Sequence, residues 1–274
     1  MLISKALTAQ YGYATGMLKH MNDCALAGNY QMNDLNDLTQ EHVNDLLENL
    51  NKTTSRTTAK TYTGILKALL KKYPNELNYD FSKLLSLRGE KSIKTFLNEN
   101  EIKGFSKIIT KTDSELYVQS IFLIGCYTGA RISDIIQFSD KNIIGNKLSY
   151  VSKKTHIQAV IPLKEGVRQL IRNIQNKEPL SLGYFNNILR GLCYCAGVDE
   201  KTLIYHAGKQ LSGEKWKFVS SHTARRSFAT NLYLRGCDIY DISRMMGHSS
   251  VSMTTGYIAA ETRKFDTKTL EFFK

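Results

Sequence analysis

Between Tyr117 and Tyr127 the chain runs through Tyr-Val-Gln-Ser-Ile-Phe-Leu-Ile-Gly-Cys-Tyr, a mostly apolar stretch. It is long enough to be a buried helix and well short of the roughly 20 residues a membrane span requires. The stretch ends abruptly at Thr128-Gly129-Ala130-Arg131-Ile132-Ser133-Asp134-Ile135. Gly129 permits a sharp turn between helices, and Arg131 then emerges at the next helix start beside free N–H groups. Asp134 is placed to buttress its guanidinium, as a structural pair or as part of a functional site.

The 274 residues suffice for two domains of ordinary size. Residues 1–90 read as entirely helical, with apolar residues at helical spacing from Leu7 to Met21 and again from Val43 to Leu50. Thr39 can cap the second helix, with Glu41 and His42 in its first turn. A third opens at Thr53-Thr54-Ser55-Arg56 and runs to Lys72, where Pro74 stops it. Arg56, Lys60 and Lys67 share its polar side, a face suited to a DNA groove or simply to solvent. A polar break from Leu87 to Ser92 reads as a linker. Beyond it come longer helices and a short sheet: a capped start at Asn98, strands at Lys147–Val151 and Ile157–Ile161, and helices opening near Leu163 and Leu180. Lys153-Lys154-Thr155 lies on the connection between the strands, and Leu203 to Lys217 has room for a short hairpin. The expected class is mainly α with a small antiparallel β-sheet.

Chemistry concentrates in the last quarter of the chain, beginning at Ser220-Ser221-His222-Thr223-Ala224-Arg225-Arg226. A helix capped near Ser221 puts His222 and Arg225 on one face. Gly247 reads as the end of a helix from about Asp238, Ser249 or Ser250 as the next cap, and Tyr257 as lying in or just past that helix. Taken singly these residues mean little in a chain with 15 Tyr and 6 His. Their spacing is the signal. His-x-x-Arg-Arg, then Gly-His, then Tyr nine residues later, preceded by Thr-Gly-x-Arg-x-x-Asp-Ile, resembles the tyrosine recombinase (phage integrase) family. Six family positions occur in order: Arg131, Lys154, His222, Arg225, His248 and Tyr257. Lys153 competes with Lys154, because a one-residue shift on a strand swaps faces. Ala224 and Met246 stand where leucine is common, and Asp134 where glutamate is frequent; these departures touch packing.

The resemblance implies a C-shaped, two-domain DNA clamp, with residues 1–88 as a helical core-binding domain and 89–274 as the catalytic domain. Nothing precedes the first block, so the arm-binding domain of lambda-type integrases is expected to be absent. Tyr257 would attack a phosphodiester in line, leaving a 3′-phosphotyrosine and a free 5′ hydroxyl. Arg131 and Arg225 would bind the non-bridging oxygens, as two planar guanidiniums can. A phenol with a pKa near 10 needs a base or a positive site to ionise, roles for His222 and the arginines. Lys154 would protonate the leaving oxygen and His248 would hold the phosphate. Arg56, Lys60, Lys67, Lys153 and Arg226 are the candidate DNA contacts. A homo-tetramer on two duplexes is implied, monomeric before assembly, with a DNA-bending or directionality protein as a further partner. The tail residues Phe265, Leu270, Phe272 and Phe273 could dock on a neighbouring protomer or fold back. A type IB topoisomerase or telomere resolvase shares this chemistry without joining two sites. A non-catalytic helix-turn-helix protein is the alternative from another class, with Gly247 in the turn.

Charge agrees with a polyanionic partner: the net value is +12. Residues 1–90 hold 10 basic against 9 acidic side chains and residues 91–274 hold 27 against 16, so the excess lies with the proposed chemistry. The absence of a signal-peptide core points to the cytoplasm. Cysteines at 24, 126, 193, 195 and 237 form neither an even framework nor a zinc-knuckle spacing. No acidic cluster suited to Mg²⁺ and no phosphate-binding Gly-x-x-x-x-Gly-Lys-Ser/Thr loop accompanies the motifs, so no metal or other cofactor is expected.

Overall fold

The computed structural model describes residues 37–72, 79–87, 95–206 and 209–258, with six isolated positions between His20 and Gly28. Most of the expected first helix and linker, and the tail beyond Ile258, lie outside these residues. By contacts the chain divides into two compact units, residues 1–92 with 205–210, and residues 93–204 with 211–274.

In the first unit, helix α1 (Gln40–Thr53) opens on the expected cap: Thr39 Oγ1 accepts from the His42 N–H, and the His42 ring faces the Thr39 N–H in return. Helix α2 (Arg56–Leu70) starts behind Ser55, whose hydroxyl accepts from the Thr58 N–H. Val43, Leu46 and Leu50 from α1 meet Ala59, Leu66 and Leu69 from α2, and Phe81 and Leu85 complete this core. Helical spacing of apolar residues produces that seam directly.

The second unit is arranged around the apolar stretch, which forms helix α4 (Asp113–Thr128) and is buried on nearly every side. Helix α3 (Glu99–Ser106) precedes it, capped by Asn98 in a reciprocal pair with Glu101. Its C-terminal neighbours are the short α5 (Ile132–Ile135), α6 (Val167–Ile174), α7 (Leu182–Cys195) and α8 (Ser221–Leu234). Gly125 is what lets α4 and α8 touch: a Cβ there would sit 2.8 Å from the Ala224 Cβ. Ser227 and Asn231 on α8 hold the Leu97 N–H and carbonyl, so α8 also anchors the entry to α3. Buried Lys215 bonds both Glu101 carboxylate oxygens at 2.8 Å, tying the turn before α8 to the first turn of α3.

Strands β1 (Ile143–Ile144), β2 (Lys147–Val151) and β3 (Gln158–Pro162) form an antiparallel sheet in that order. Leu148 pairs with Ile161 and Tyr150 with Ala159, and these four side chains face inward. The period-2 alternation gives β2 and β3; the two-residue β1 was too short to show in the sequence. A separate ribbon, β4 (Lys201–His206) with β5 (Lys209–Glu214), occupies the stretch expected to hold a hairpin. Helices α9 (Ile239–Met245) and α10 (Val251–Thr255) follow α8. The fold is mainly helical with small antiparallel sheets, as expected. Among the described residues no helix is long and apolar enough to cross a membrane.

Candidate active site

Three chain reversals and one helix start converge beside the inner face of β2. The first is the α4–α5 turn, where Gly129 ends α4 at φ +66°. A side chain there would be strained, and its Cβ would lie 2.5 Å from the Phe228 ring. The turn delivers Arg131 as the cap residue of α5, with only 8% of its surface exposed. Its Nη1 donates to Ser152 Oγ at 2.8 Å, and that hydroxyl donates to Asp134 Oδ2 at 3.2 Å. Asp134 Oδ1 accepts from the Lys153 N–H at 2.9 Å. Asp134 therefore buttresses Arg131 through Ser152 and pins the β2–β3 connection with its other oxygen. The buttress expected of Asp134 is thus made through an intervening serine.

Ser152 went unnoticed in the sequence, although it extends the inward series Leu148, Tyr150 by one more strand period. Past it, Lys153 and Lys154 are both exposed, and Thr155 Oγ1 donates to the Gly247 carbonyl at 3.0 Å. The lysine-bearing connection is thus fastened on one side to Asp134 and on the other to the α9–α10 turn.

Helix α8 begins one residue away from where a Ser221 cap would start it. Ser220 is the cap residue and its N–H donates to Thr223 Oγ1, while the Ser221 N–H goes to Asn186 Oδ1 on α7. His222 is exposed in the first turn, and Arg225, one turn on, is 1% exposed. The Arg225 guanidinium donates to the Gly129 carbonyl, to the Met246 carbonyl at 2.6 Å and toward His248 Nε2 at 2.7 Å. Its Nε–H is buried with no partner among the described residues. Burial lowers its pKa, and the like charge of Arg131 adds to that.

Gly247 ends α9 at φ +59° and turns the chain so that His248 enters the same volume. Its Nδ1 lies 2.8 Å from Thr254 Oγ1, a hydroxyl wholly buried on α10. Burial, then Arg225, then Arg131 push the His248 pKa down to about 3, so the ring is neutral near pH 7. Tyr257 lies just past α10, its ring 5.2 Å from the His248 ring and 5.4 Å from the Arg225 guanidinium carbon. A second phenol, Tyr150, adjoins the site from β2; burial pushes it up to about 12, and its hydroxyl has no partner among the described residues.

Of the six expected residues, Arg225, His248 and Tyr257 are in mutual contact, and Arg131 is near enough to act electrostatically on two of them. Lys154 and His222 sit on elements anchored to this cluster. Arg226 offers something other than an exposed DNA contact: it is 7% exposed, reaches back to Thr223 Oγ1 at 3.2 Å, and burial pulls its pKa down to about 10. In the first unit Arg56 and Lys60 are exposed, whereas the Lys67 ammonium is held by the Ser82 carbonyl and the Ser86 hydroxyl. No group of three or more metal-ligating side chains occurs among the described residues.

The phage integrase family matches residues 95–264, which carry every one of these site residues from Arg131 to Tyr257. The chain belongs to that family. It is 24% identical over 156 residues to a probable integrase/recombinase, YoeC, of Bacillus subtilis (strain 168), covering 52% of this chain and 76% of that one. It is 26% identical over 184 residues to a tyrosine recombinase of Thermosipho africanus (strain TCF52B), covering 65% and 62%. With the integrase of Escherichia phage P2 it shares 24% identity over 171 residues, spanning 62% of this chain and 44% of that protein. Among solved structures, the XerH recombinase in a post-cleavage complex with a palindromic difH substrate matches at 16% identity, with a TM-score of 0.70, covering 96% and 79% of the two chains. A lambda integrase (75-356) dimer bound to a COC′ core site matches at 16% identity, with a TM-score of 0.65 and 93% of each chain covered. At such identity the likeness speaks to the integrase fold, and the residue geometry speaks for the chemistry.

Proposed function

We propose that this integrase-family chain is a site-specific DNA recombinase that cuts and rejoins strands through a 3′-phosphotyrosine on Tyr257. The observation that carries the reading is a pair of buried guanidiniums, Arg131 and Arg225, whose side-chain hydrogen-bond partners among the described residues are the Ser152 hydroxyl and the His248 ring rather than a carboxylate. Buried charge is ordinarily paired. A phosphodiester placed between them and the Tyr257 ring supplies the missing anion, and both arginines then stabilise charge as it gathers on the non-bridging oxygens.

In this mechanism the electropositive site favours the Tyr257 phenolate, with His222 as the base. Attack breaks the bond to the 5′ oxygen, which takes a proton from Lys154. The phosphotyrosine conserves the bond, so a 5′ hydroxyl from a second duplex can reverse the step without a nucleotide cofactor. The anchored β2–β3 connection supports Lys154 as the donor, with Lys153, whose N–H is engaged by Asp134, as a phosphate contact.

Around this chemistry the reading is a C-shaped clamp of residues 1–88 and 89–274 on double-stranded DNA. Exposed Arg56 and Lys60 touch the backbone, and two duplexes are joined in a homo-tetramer assembled from cytoplasmic monomers, with an accessory DNA-bending or directionality protein as a further partner. The DNA-bound relatives and the +12 net charge support DNA as the partner. Two labelled duplexes carrying a target site selected from random DNA test it: crossed products formed in EDTA are expected. Relaxation of supercoiled plasmid with no crossed product would favour a type IB topoisomerase instead.

A further inference from the structure

Among the described residues, four buried side-chain nitrogens and oxygens have no hydrogen-bond partner: Tyr150 Oη, Trp216 Nε1, Arg225 Nε and Arg226 Nε. Three of these are N–H groups that can only donate, and the Tyr150 hydroxyl alone can accept. Tyr150 is 6% exposed and faces inward from β2, two residues before Ser152, whose hydroxyl holds Arg131. Its ring packs on Phe138, with the centroids 5.0 Å apart. Burial raises the phenol's pKa and Arg225 opposes that rise, while burial and then Arg131 lower the Arg225 pKa and Tyr150 opposes that fall. An acceptor and a donor, each unsatisfied, therefore lie as neighbours in one buried volume.

We propose that Tyr150 is a positioning residue that accepts the Arg225 Nε–H once DNA is bound, fixing the guanidinium plane while its outer nitrogens turn to the phosphate. In the free chain the Gly129 carbonyl engages Nη1, and the Met246 carbonyl and His248 engage Nη2. Each Nη carries two N–H bonds, so Nη2 is fully used and Nη1 has one left. The Nε–H is sealed from solvent, so a phosphate meets the Nη end, and two-point binding there displaces at least one of the present partners. The guanidinium must then turn, and the Nε–H swings with its plane. Tyr150 Oη is the unpartnered acceptor beside it. A buried hydroxyl without a partner destabilises the free protein, and phenylalanine would fill the same space without that cost. The effect on rate rests on the recombinase reading; the contact does not.

The test compares the full chain with its Tyr150→Phe variant on a nicked, selected duplex in EDTA. Single-turnover adduct formation at saturating DNA is expected to slow about tenfold, while the duplex Kd stays within about twofold and the free protein melts no lower. A general packing role would instead lower Tm and weaken DNA binding along with the rate. The contact is read separately by nitrogen-15 labelling of arginine Nε in a Tyr257→Phe background that leaves the DNA intact, with Arg225 assigned by its loss in Arg225→Lys. Its Nε–H resonance should move on addition of DNA, and Tyr150→Phe should abolish that move. An unchanged adduct rate, a slower rate accompanied by lower Tm and weaker binding, or a resonance that answers DNA equally in both proteins would overturn the proposal. A Tyr150-dependent shift with no adduct from the Tyr257 protein on any selected DNA would uphold the contact and sink the recombinase reading.

Discussion

His248 shows how far single residues are set by their surroundings. In water an imidazole titrates near pH 6.5, but burial and two guanidiniums bring this one down to about 3. The unfolded chain takes up the proton first as pH falls, so the stability contributed by the neutral ring is complete above about pH 6.5 and is lost progressively toward pH 3. The slope from one such group is at most about 1.4 kcal/mol per pH unit. Urea unfolding at steps from about pH 7.5 to about pH 4.5 should therefore show wild type losing stability faster than His248→Asn; parallel curves would mean the ring is charged or solvated in the fold. Tyr150 makes a second prediction of this kind. Its buried hydroxyl has no partner among the described residues, so Tyr150→Phe should raise stability by about 1 kcal/mol, read as a rise of about 2–4 °C in Tm. A fall in Tm would show that the hydroxyl is satisfied. Arg131, Arg225, His248 and Tyr257, which the fold brings together, were legible because their spacing follows a known pattern. Ser152 and Thr254 were not: each meets another buried side chain across a chain reversal, 21 residues from Arg131 and 6 from His248, and serine and threonine are common enough to hide.

The elements matter to the site through their ends. Helix α4 stops at Gly129, whose carbonyl receives Arg225 and whose missing side chain leaves room for Phe228. Gly129→Ala adds left-handed strain and a clash at once, so it should cost about 1–3 kcal/mol of stability and, by shifting the carbonyl, reduce adduct formation by more than about tenfold. Urea unfolding and an adduct time course measure the two effects, and unchanged values for both would remove the α4–α5 turn from the account. The turn was readable beforehand, because glycine before arginine at the end of an apolar helix has few other uses. Cap positions read less well: Ser220 rather than Ser221 begins α8, two adjacent serines being equivalent in sequence until Asn186 claims the second N–H. Strand β1 was invisible for a different reason, since two residues carry no alternation.

For the molecule as a whole, the excess of positive charge in residues 91–274 coincides with the unit that gathers the arginines, and the family match falls on the same stretch. Fold class and family were both within reach of the sequence, because a buried helix, a short sheet and six ordered positions constrain one another. The central claim is that this unit turns a phosphodiester into a phosphotyrosine using side chains alone. Incubating the protein in EDTA with a nicked, selected duplex, then mapping any SDS-resistant adduct by mass spectrometry, tests it most directly. The account predicts a 3′-linked phosphodiester on Tyr257, abolished in Tyr257→Phe although DNA is still bound. Tight binding with no adduct, or an adduct that survives in Tyr257→Phe, would contradict it.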